Sequence, residues 1–288
     1  MSIKIIENRL KEYAPKTKAE EFNALKEIVQ EIALCGLTRA HFFKVAAFQG
    51  GSCLRIVYNI NRFSEDLDFI LLQPNKTFIW EPFFNALHLE CKAYGLNVQL
   101  LDKSKADPVI KKAFLKDDSF GKVLLLSHAR DRCDEQIIKI KLEIDTNPPA
   151  GSTFKTNFLT FPYPFSIVTQ DLPSLFASKC HALLCRDYIK GRDWFDFIWY
   201  VTKKTDINLM HLQAALHQNG PWKDQPIVIT NEWLIKALKD KITSIDWDQA
   251  KQDIGPFLNA QENQGLTVWG IDFFMSLLTE LSITLKKP

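Results

Sequence analysis

The chain has 288 residues, of which 46% are hydrophobic and 24% charged, and its formal net charge is +2 at pH 7. This composition is typical of a globular protein and excludes a disordered chain. The charge is too balanced to indicate a nucleic-acid-binding protein by itself, although a local basic patch is compatible with one. The length allows one large hydrophobic core or two smaller ones.

The six cysteines are scattered, and no Cys-x-x-Cys or paired Cys/His spacing indicates a zinc site. Isolated cysteines are typical of a reducing compartment. No signal peptide is visible at the N-terminus, and no apolar run approaches the roughly 18 residues of a membrane-spanning helix. We therefore expect a soluble, cytoplasmic protein that does not enter a membrane.

Helices and strands alternate along the first part of the chain. In residues 17–36 apolar side chains recur every three or four positions, which predicts a helix that ends at Gly36. An apolar segment, residues 42–48, then leads into a pair of glycines. Four predicted elements follow: a helix at residues 52–60, a strand at 66–72, a helix at 78–95 and a strand at 96–102.

Residues 135–149 have the clearest strand pattern in the chain, which the prolines at its end terminate. The apolar positions are Ile138, Ile140, Leu142 and Ile144. The charged positions are Lys139, Lys141, Glu143 and Asp145. Because successive side chains on a strand point to opposite faces, this segment predicts a strand with one apolar and one charged face.

From Asp171 onward the pattern is helical. Asp171 is a predicted N-cap with Pro173 in the first turn, and Gly191 is the predicted end of that helix. The last segment, residues 270–287, has too broad an apolar surface to be exposed to water, so it should pack on the protein or on a partner. The sequence thus predicts an α+β fold. Its expected parts are an α/β domain with a mixed sheet at residues 1–165 and a mostly helical domain at 166–288.

Two acids on the strand at residues 66–72 are the strongest candidates for catalysis. Asp66 and Asp68 are two positions apart and share one face. Adjacent carboxylates raise each other's pKa unless a cation offsets their charge, and Mg2+ prefers such oxygen ligands. Glu143 or Asp145 could supply a third acid, and Glu143 is preferred because it lies deeper in its strand. Taken alone, Asp-x-Asp is more often the outer face of a surface strand.

Gly50 and Gly51 precede the predicted helix at residues 52–60, and Ser52 is its first residue. A glycine pair lets backbone N–H groups approach a phosphate at the positive end of the helix dipole, and the Ser52 hydroxyl is a further donor. A plain turn with a serine cap gives the same pattern. A phosphate site and metal-binding acids within 20 residues suit a metal-bound nucleoside triphosphate better than either feature suits another ligand. Arg62 could contact a phosphate, fix the carboxylates or form an ordinary surface ion pair.

Residues 50–69, "GGSCLRIVYNINRFSEDLDF", resemble the first motif of the AbiEii/AbiGii-type nucleotidyltransferases. These proteins are toxins of abortive-infection and toxin–antitoxin systems within the DNA polymerase β-like nucleotidyltransferase superfamily. The resemblance implies that fold, with Asp66, Asp68 and Glu143 as catalytic metal ligands. The family often has a lysine shortly after its Gly-Gly-Ser, where this chain has Arg55.

Residues 178–201, "SKCHALLCRDYIKGRDWFDFIWYV", resemble a later segment of the same family. Lys179 and Arg186 are seven positions apart on a predicted helix, and Asp193 and Asp196 are three apart on the next, so each pair shares a face. The resemblance makes Lys179 a triphosphate contact and Asp193 a catalytic-site residue near the nucleotide or its acceptor. Solvated charges or local ion pairs would explain both pairs without a ligand. The nucleotide-binding residues predicted in this way are Gly50, Gly51, Ser52, Arg62, Ser64, Lys179 and Arg186.

The resemblance implies an enzyme that uses Mg2+, or Mn2+ in its place, to move a nucleoside monophosphate from a triphosphate to an acceptor hydroxyl. The acceptor classes are RNA, including tRNA, and protein, and a toxin of this kind implies a separate antitoxin. Two alternatives remain open. One is a nucleotidyltransferase for a small molecule. The other is a non-catalytic nucleotide-binding module that acts through a partner.

Overall fold

The structure is a computed structural model that describes residues 2–102, 109–117 and 138–286. These residues form two compact units. The first unit lies within Met1–Asn59, Phe63–Pro148 and Thr156–Thr169. The second lies within Ile60–Arg62, Pro149–Lys155 and Gln170–Pro288. The predicted domain boundary at residue 165 stays a prediction.

The first unit contains four helices and most of a mixed sheet among the described residues. Its helices are α1 (Ser2–Tyr13), α2 (Lys18–Arg39), α3 (Gly50–Tyr58) and α4 (Glu81–Ala93). The strands of the sheet are β1 (Ala46–Gln49), β2 (Leu67–Leu71), β3 (Val98–Asp102), β4 (Ile110–Asp117), β5 (Ile138–Asp145), β6 (Phe154–Leu159) and β7 (Phe165–Gln170).

The described helices after β7 all belong to the second unit. They are α5 (Leu172–Cys185), α6 (Gly191–Thr202), α7 (Leu209–Gln218), α8 (Asn231–Ser244), α9 (Trp247–Ile254), α10 (Ala260–Gly265) and α11 (Ile271–Leu285). The prediction of a mostly helical C-terminal half is thus confirmed.

The seven strands among the described residues lie in the order β3-β4-β5-β2-β1-β7-β6. Strand β2 is antiparallel to β1 on one side and parallel to β5 on the other. Strand β4 is antiparallel to both β3 and β5, and β1 is parallel to β7. The sheet is therefore mixed, and the predicted α+β class is confirmed. Its central strand, β2, carries Asp68.

The alternation predicted around β5 is confirmed over Ile138–Asp145, and residues 135–137 of the predicted segment lie outside the described residues. All four apolar side chains of this strand are at most 1% exposed. The charged side chains on the other face are half-buried or exposed. The alternation of side chains along β5 thus leaves only those of its charged face able to take part in a site.

Helix α2 does not end at Gly36, as the sequence predicted, but continues to Arg39. The reason is packing, because a β-carbon on Gly36 would come within 3.0 Å of the Leu87 Cα on α4. The glycine lets two helices approach closely. A local stop signal and a helix-packing glycine look the same in sequence.

Helix α2 is also more deeply buried than its one predicted apolar face requires. Glu27 and Glu31 are 5% and 4% exposed. Each pairs with an arginine from another helix: Arg55 Nε lies 2.8 Å from Glu27 Oε2, and Arg9 Nη2 lies 2.7 Å from Glu31 Oε1. Arg55 therefore fixes α3 on α2.

The start of α5 confirms the predicted cap: the Asp171 side chain accepts the N–H of Ser174 at 2.9 Å, and Pro173 lies in the first turn. The predicted end at Gly191 is wrong, because α5 ends at Cys185 and Gly191 begins α6. A β-carbon on Gly191 would lie 1.9 Å from the carbonyl oxygen of Ala250 on α9. The glycine is required by that contact.

The prediction that the last segment packs on the protein is confirmed by α11. Phe274, Leu277, Leu278 and Leu281 are buried, and the Phe274 ring stacks on Trp247 at a centroid distance of 4.0 Å. Among the described residues, no single helix has the length and apolar character to cross a membrane. The bent pair of residues 260–268 and 271–285 meets that test only when taken together.

The five described cysteines are all free thiols. Cys133 lies outside the described residues. Burial raises the pKa of the Cys53 and Cys180 thiols well above the ordinary value, so both are protonated, apolar core groups at neutral pH.

Candidate functional site

The acid pair of the first unit lies at the start of β2. Asp66 directly precedes the strand, and Asp68 is its second residue. Leu67 and Phe69 are 0% and 1% exposed and face the core. Because side chains alternate across a strand, Asp68 lies on the opposite face, as the sequence predicted.

The strand register brings Asp68 and Glu143 together. These two residues are Cα partners across the parallel strands β2 and β5. Asp145 is instead the partner of Ile70, and its Oδ1 accepts the backbone N–H of Asn147 at 2.8 Å in the turn after β5. This arrangement favours Glu143 over Asp145 as the third acid.

The first residue of α3 contacts the Asp68 carboxylate. Gly50 has a φ of +76°, and a β-carbon on it would lie 2.6 Å from Asp68 Oδ2. Gln49, just before it, is the register partner of Asp68 on β1. Gly51 is the second residue of α3, so its N–H belongs to the group at a helix start that has no partner within the helix. A side chain at Gly50 would lie between the N–H groups at the start of α3 and the Asp68 carboxylate.

Ser52 and Ser64 both take part in hydrogen bonds within the first unit. The Ser52 side chain is buried, and its hydroxyl donates to the carbonyl oxygen of Asp66. The carbonyl oxygen of Ser64 accepts from Gln30 Nε2 at 3.1 Å. Ser52 thus ties the start of α3 to the acid-bearing segment, and its predicted bond to a phosphate stays a prediction.

Lys141 is a candidate site residue to which the sequence pattern assigned no role. Its Nζ lies 2.8 Å from Glu143 Oε2, and Lys112 Nζ lies 3.3 Å from Glu143 Oε1. Burial opposes the charge of Lys141, but the attraction of Glu143, Asp66 and Asp68 outweighs it and raises its pKa. Lys141 is therefore a counter-charge that pairs with Glu143 and also attracts Asp66 and Asp68. Its position two residues before Glu143 on the charged face of β5 was the available sequence signal.

The donor set of Asp66, Asp68 and Glu143 consists of hard oxygen ligands and suits Mg2+. Gly50, which has no side chain, leaves its backbone beside the Asp68 carboxylate, where a β-carbon would come within 2.6 Å of Oδ2. Within the part of the chain that is described, however, no three His, Cys, Asp or Glu side chains come together closely enough to hold a metal ion. The Lys141 ammonium now pairs with Glu143, and a metal ion held by these three acids would have to displace it.

The second unit contains a buried set of charges that we call the ion-pair cluster: Arg62, Lys179, Arg186, Asp193 and Asp196. Arg62 forms two bonds with Asp196, from Nε to Oδ1 at 2.6 Å and from Nη2 to Oδ2 at 2.7 Å. Lys179 Nζ lies 2.6 Å from Asp193 Oδ1 and 2.8 Å from Asp196 Oδ2. Arg186 Nη1 lies 2.9 Å from Asp193 Oδ2.

The ion-pair cluster holds more positive than negative charge, with three cationic side chains against two carboxylates. Burial opposes ionisation of Asp193, but Lys179, Arg186 and Lys190 outweigh it and lower its pKa to about 2. Burial, together with nearby Arg186, Arg192 and Lys179, lowers the pKa of Lys190. Such an excess of positive charge favours a bound anion.

The sequence predicted only some of the contacts within the ion-pair cluster. Asp193 and Asp196 share a face of α6, as predicted, and both contact Lys179. Arg186 is not on the same helix face as Lys179, because it lies just beyond the end of α5 with a ψ of 135°. It still reaches Asp193, since the chain turns back there into α6.

The mixed sheet, with the paired acids and the glycine turn on it, is that of a nucleotidyltransferase fold. The sequence model of the family described as "Nucleotidyl transferase AbiEii toxin, Type IV TA system" matches residues 32–276. The chain belongs to this family and is an enzyme of the nucleotidyltransferase class. Among curated proteins, none is significantly similar to it.

Two solved structures from Helicobacter pylori are similar to the chain. JHP933 is 15% identical, with a TM-score of 0.47 over 92% of this chain and 90% of that one. The second, provisionally named a nucleotidyltransferase, is 16% identical, with a TM-score of 0.46 over 88% of this chain and 90% of that one. At these scores neither likeness adds to the family assignment.

Proposed function

We propose that the chain is the toxin of a type IV system and transfers a nucleoside monophosphate from a triphosphate to an acceptor hydroxyl with the help of Mg2+ or Mn2+. The acceptor classes are RNA, including tRNA, and protein. The observation that supports this most directly is the pairing of Asp68 with Glu143 across β2 and β5, with the start of α3 against Asp68.

In this proposal Asp66, Asp68 and Glu143 would hold a metal ion, which would supply positive charge to offset that of the phosphates. Gly50 and Gly51 present backbone N–H groups to phosphate oxygens at the helix start. Glu143 accepts the proton of the acceptor hydroxyl while the hydroxyl oxygen forms a bond to the α-phosphorus. The bond from that phosphorus to the bridging oxygen breaks, and pyrophosphate leaves. Positioning and charge neutralisation supply the rate.

The charge balance of the ion-pair cluster supports the predicted role of Lys179 and Arg186 as phosphate ligands, because a phosphate there would offset its positive excess. Arg62 is almost wholly buried against Asp196, which supports a positioning role for it. Asp193 holds Lys179 and Arg186 in place, and its predicted role near the nucleotide or its acceptor stays a prediction. Membership of a type IV toxin family supports a separate antitoxin as a partner.

The test is a transfer assay with each α-labelled nucleoside triphosphate, Mg2+ and total cellular RNA. We expect label in RNA or protein from the wild type and none from Asp66→Asn or Asp68→Asn. Glu143→Gln should abolish transfer, whereas Asp145→Asn, a matched change on the same face of β5, should leave most of it. Undiminished transfer by Asp68→Asn would refute the proposed site.

The same assay separates the alternatives. A mass shift on a small-molecule acceptor with no label in RNA or protein would favour the small-molecule enzyme. Tight nucleotide binding without pyrophosphate release under any acceptor would favour the binding module.

A further inference from the structure

We propose that a pocket formed by the end of α5, the turn after α7 and one face of α8, with Trp222 and Trp233 in its wall, binds an unpaired nucleobase and the phosphate attached to it. The base could come from a single-stranded nucleic acid or from a free nucleotide. The inference rests on the proposed function for its link to transfer, but it concerns binding and is tested by binding alone.

The pocket lies wholly within the second unit and has a volume of about 420 Å³. Volumes of about 300–1,000 Å³ are typical of small-ligand sites. The side chains that matter for the ligand are Leu184, Trp222, Trp233, Lys236, Asp240 and Lys241. The wall is thus aromatic and apolar, with ammonium groups beside it.

The two tryptophans differ from those of the core. Trp194 and Trp247 are 2% and 8% exposed and pack on Phe274. Trp222 and Trp233 are only half-buried, with ring centroids 5.2 Å apart and ring planes at 76°. An exposed indole face stacks on any base, because every base has a π-face. These two rings are therefore available to a ligand.

Trp222 is held in place rather than free on the surface. It lies in a turn where Gly220 has a φ of +102°, and a β-carbon on Gly220 would lie 2.5 Å from the Cys185 Sγ. Gln225 Nε2 donates to the Pro221 carbonyl at 2.7 Å, and the Asp224 N–H donates to the His217 carbonyl at 3.1 Å. A fixed ring loses less entropy on binding than a mobile one.

Helix capping fixes the backbone that carries the second ring. Trp233 lies in the first turn of α8, and its backbone N–H donates to Thr230 Oγ1 at 3.2 Å. The backbone that carries each ring is therefore held, and the two rings pack on each other.

The charges around the pocket suit the phosphate of a nucleotide. Lys236 and Lys241 line it together with one acid, Asp240, which leaves a net positive charge. Lys241 Nζ donates to the carbonyl oxygen of Arg186 at 2.9 Å. Arg186 in turn contacts Asp193 in the ion-pair cluster, so the pocket adjoins the positive excess of that cluster. A base on the tryptophans would place its phosphate next to these cations.

The experiment measures binding of a fluorescently labelled RNA octamer, without Mg2+ and without any triphosphate, so that transfer cannot occur. Trp222→Leu should weaken binding about 5- to 150-fold, which is the range for losing one stacked base. Trp199→Leu is the matched control, because Trp199 is also half-buried and also lies beside a lysine, Lys203, but outside the pocket. It should bind as the wild type does.

An octamer with abasic positions separates stacking from simple attraction between charges. It should bind the wild type no better than Trp222→Leu binds the intact octamer. Equal binding of intact and abasic octamers, or unchanged binding by Trp222→Leu with its fold intact by circular dichroism, would overturn the proposal.

Charge and source are tested in the same way. Lys236→Ala should weaken binding, whereas Lys239→Ala, an exposed lysine of α8 outside the pocket, should not. If free nucleoside triphosphates displace the labelled octamer, the pocket binds a free nucleotide. If the unlabelled octamer displaces it and the triphosphates do not, the pocket binds a single strand. Loss of transfer in Asp68→Asn with octamer binding retained keeps the two proposals distinct.

Discussion

The carboxylate of Asp68 lies so close to the backbone of Gly50 that a β-carbon on the glycine would come within 2.6 Å of Asp68 Oδ2. Gly50 also has a φ of +76°, which favours glycine. This contact sets the acid against the helix start, and any larger residue must displace one of them.

We predict that Gly50→Ala lowers transfer about 100-fold, because a displacement of about 1 Å is enough for such a loss. It should also lower the free energy of unfolding by about 1 kcal/mol or more through backbone strain. Transfer kinetics and denaturant unfolding measure the two effects. Gly265→Ala is the control, since its β-carbon would meet nothing within 4 Å. Wild-type transfer by Gly50→Ala would show that the close contact is not needed.

Lys141 should act as a substitute for a metal ion beside the acids, since its Nζ lies 2.8 Å from Glu143. We predict that Lys141→Met unfolds at a lower temperature than the wild type in EDTA and gains more from millimolar Mg2+. Without the Lys141 ammonium, Lys112 still pairs with Glu143, but Asp66 and Asp68 lose a cation that attracts them, so the carboxylates repel one another more strongly until a metal ion binds. Thermal unfolding in both buffers measures this.

The matched control for this prediction is Lys139→Met, two positions earlier on the same strand, where Nζ lies over the Phe114 ring at 4.4 Å. Its response to Mg2+ should equal that of the wild type. The same response from both variants would mean that Lys141 and the ion do not share a site.

Arg62 should matter first for stability. Its side chain is 2% exposed and that of Asp196 is 0% exposed. We predict that Arg62→Met costs about 3–5 kcal/mol of unfolding free energy, because it leaves part of a buried carboxylate charge without its partner. Urea unfolding measures the loss. Lys251→Met breaks an exposed pair with Asp248 and should cost less than about 1 kcal/mol. A similar small cost for Arg62→Met would contradict the role of the ion-pair cluster.

Asp193 predicts how stability depends on pH. Its pKa is lowered from 3.8 to about 2 in the folded protein, so its contribution is fully present above pH 4 and is lost as the pH falls towards 2. The wild type should therefore exceed Asp193→Asn in stability above pH 4, and the difference should shrink below it. Unfolding free energies from pH 2 to 6 test this. A difference that does not change over that range would mean that the carboxylate is not held ionised.

Local signals in the sequence predicted the fold where the structure depends on near neighbours. The alternation of β5 and the Asp171 cap of α5 are such cases. The two glycines assigned as helix ends were misjudged because their partners are remote: Gly36 meets Leu87, and Gly191 meets Ala250. A glycine needed for packing is known only once its neighbour is known.

The candidate site divides in the same way. The spacing of Asp66 and Asp68 predicts that they share a face, and the sequence preferred Glu143 over Asp145 only for its depth in the strand. The pairing of Glu143 with Asp68 depends on the register of two strands that are far apart in sequence. Lys141 was overlooked because its contact with the acids follows from that register. The partner of Arg62 lies 134 positions away, a distance over which spacing carries no information.

The short segment Ile60–Arg62 belongs to the second unit, although the chain on either side of it belongs to the first. The helical unit is therefore discontinuous in sequence, so recombination or cloning cannot move it as one contiguous segment. A fragment that begins at residue 170 would lack the guanidinium that neutralises Asp196 in its interior. Such a fragment should be insoluble or unfolded. A separate peptide with the missing segment would rescue it only weakly, because the intact chain holds that segment at a far higher effective concentration than a free peptide reaches.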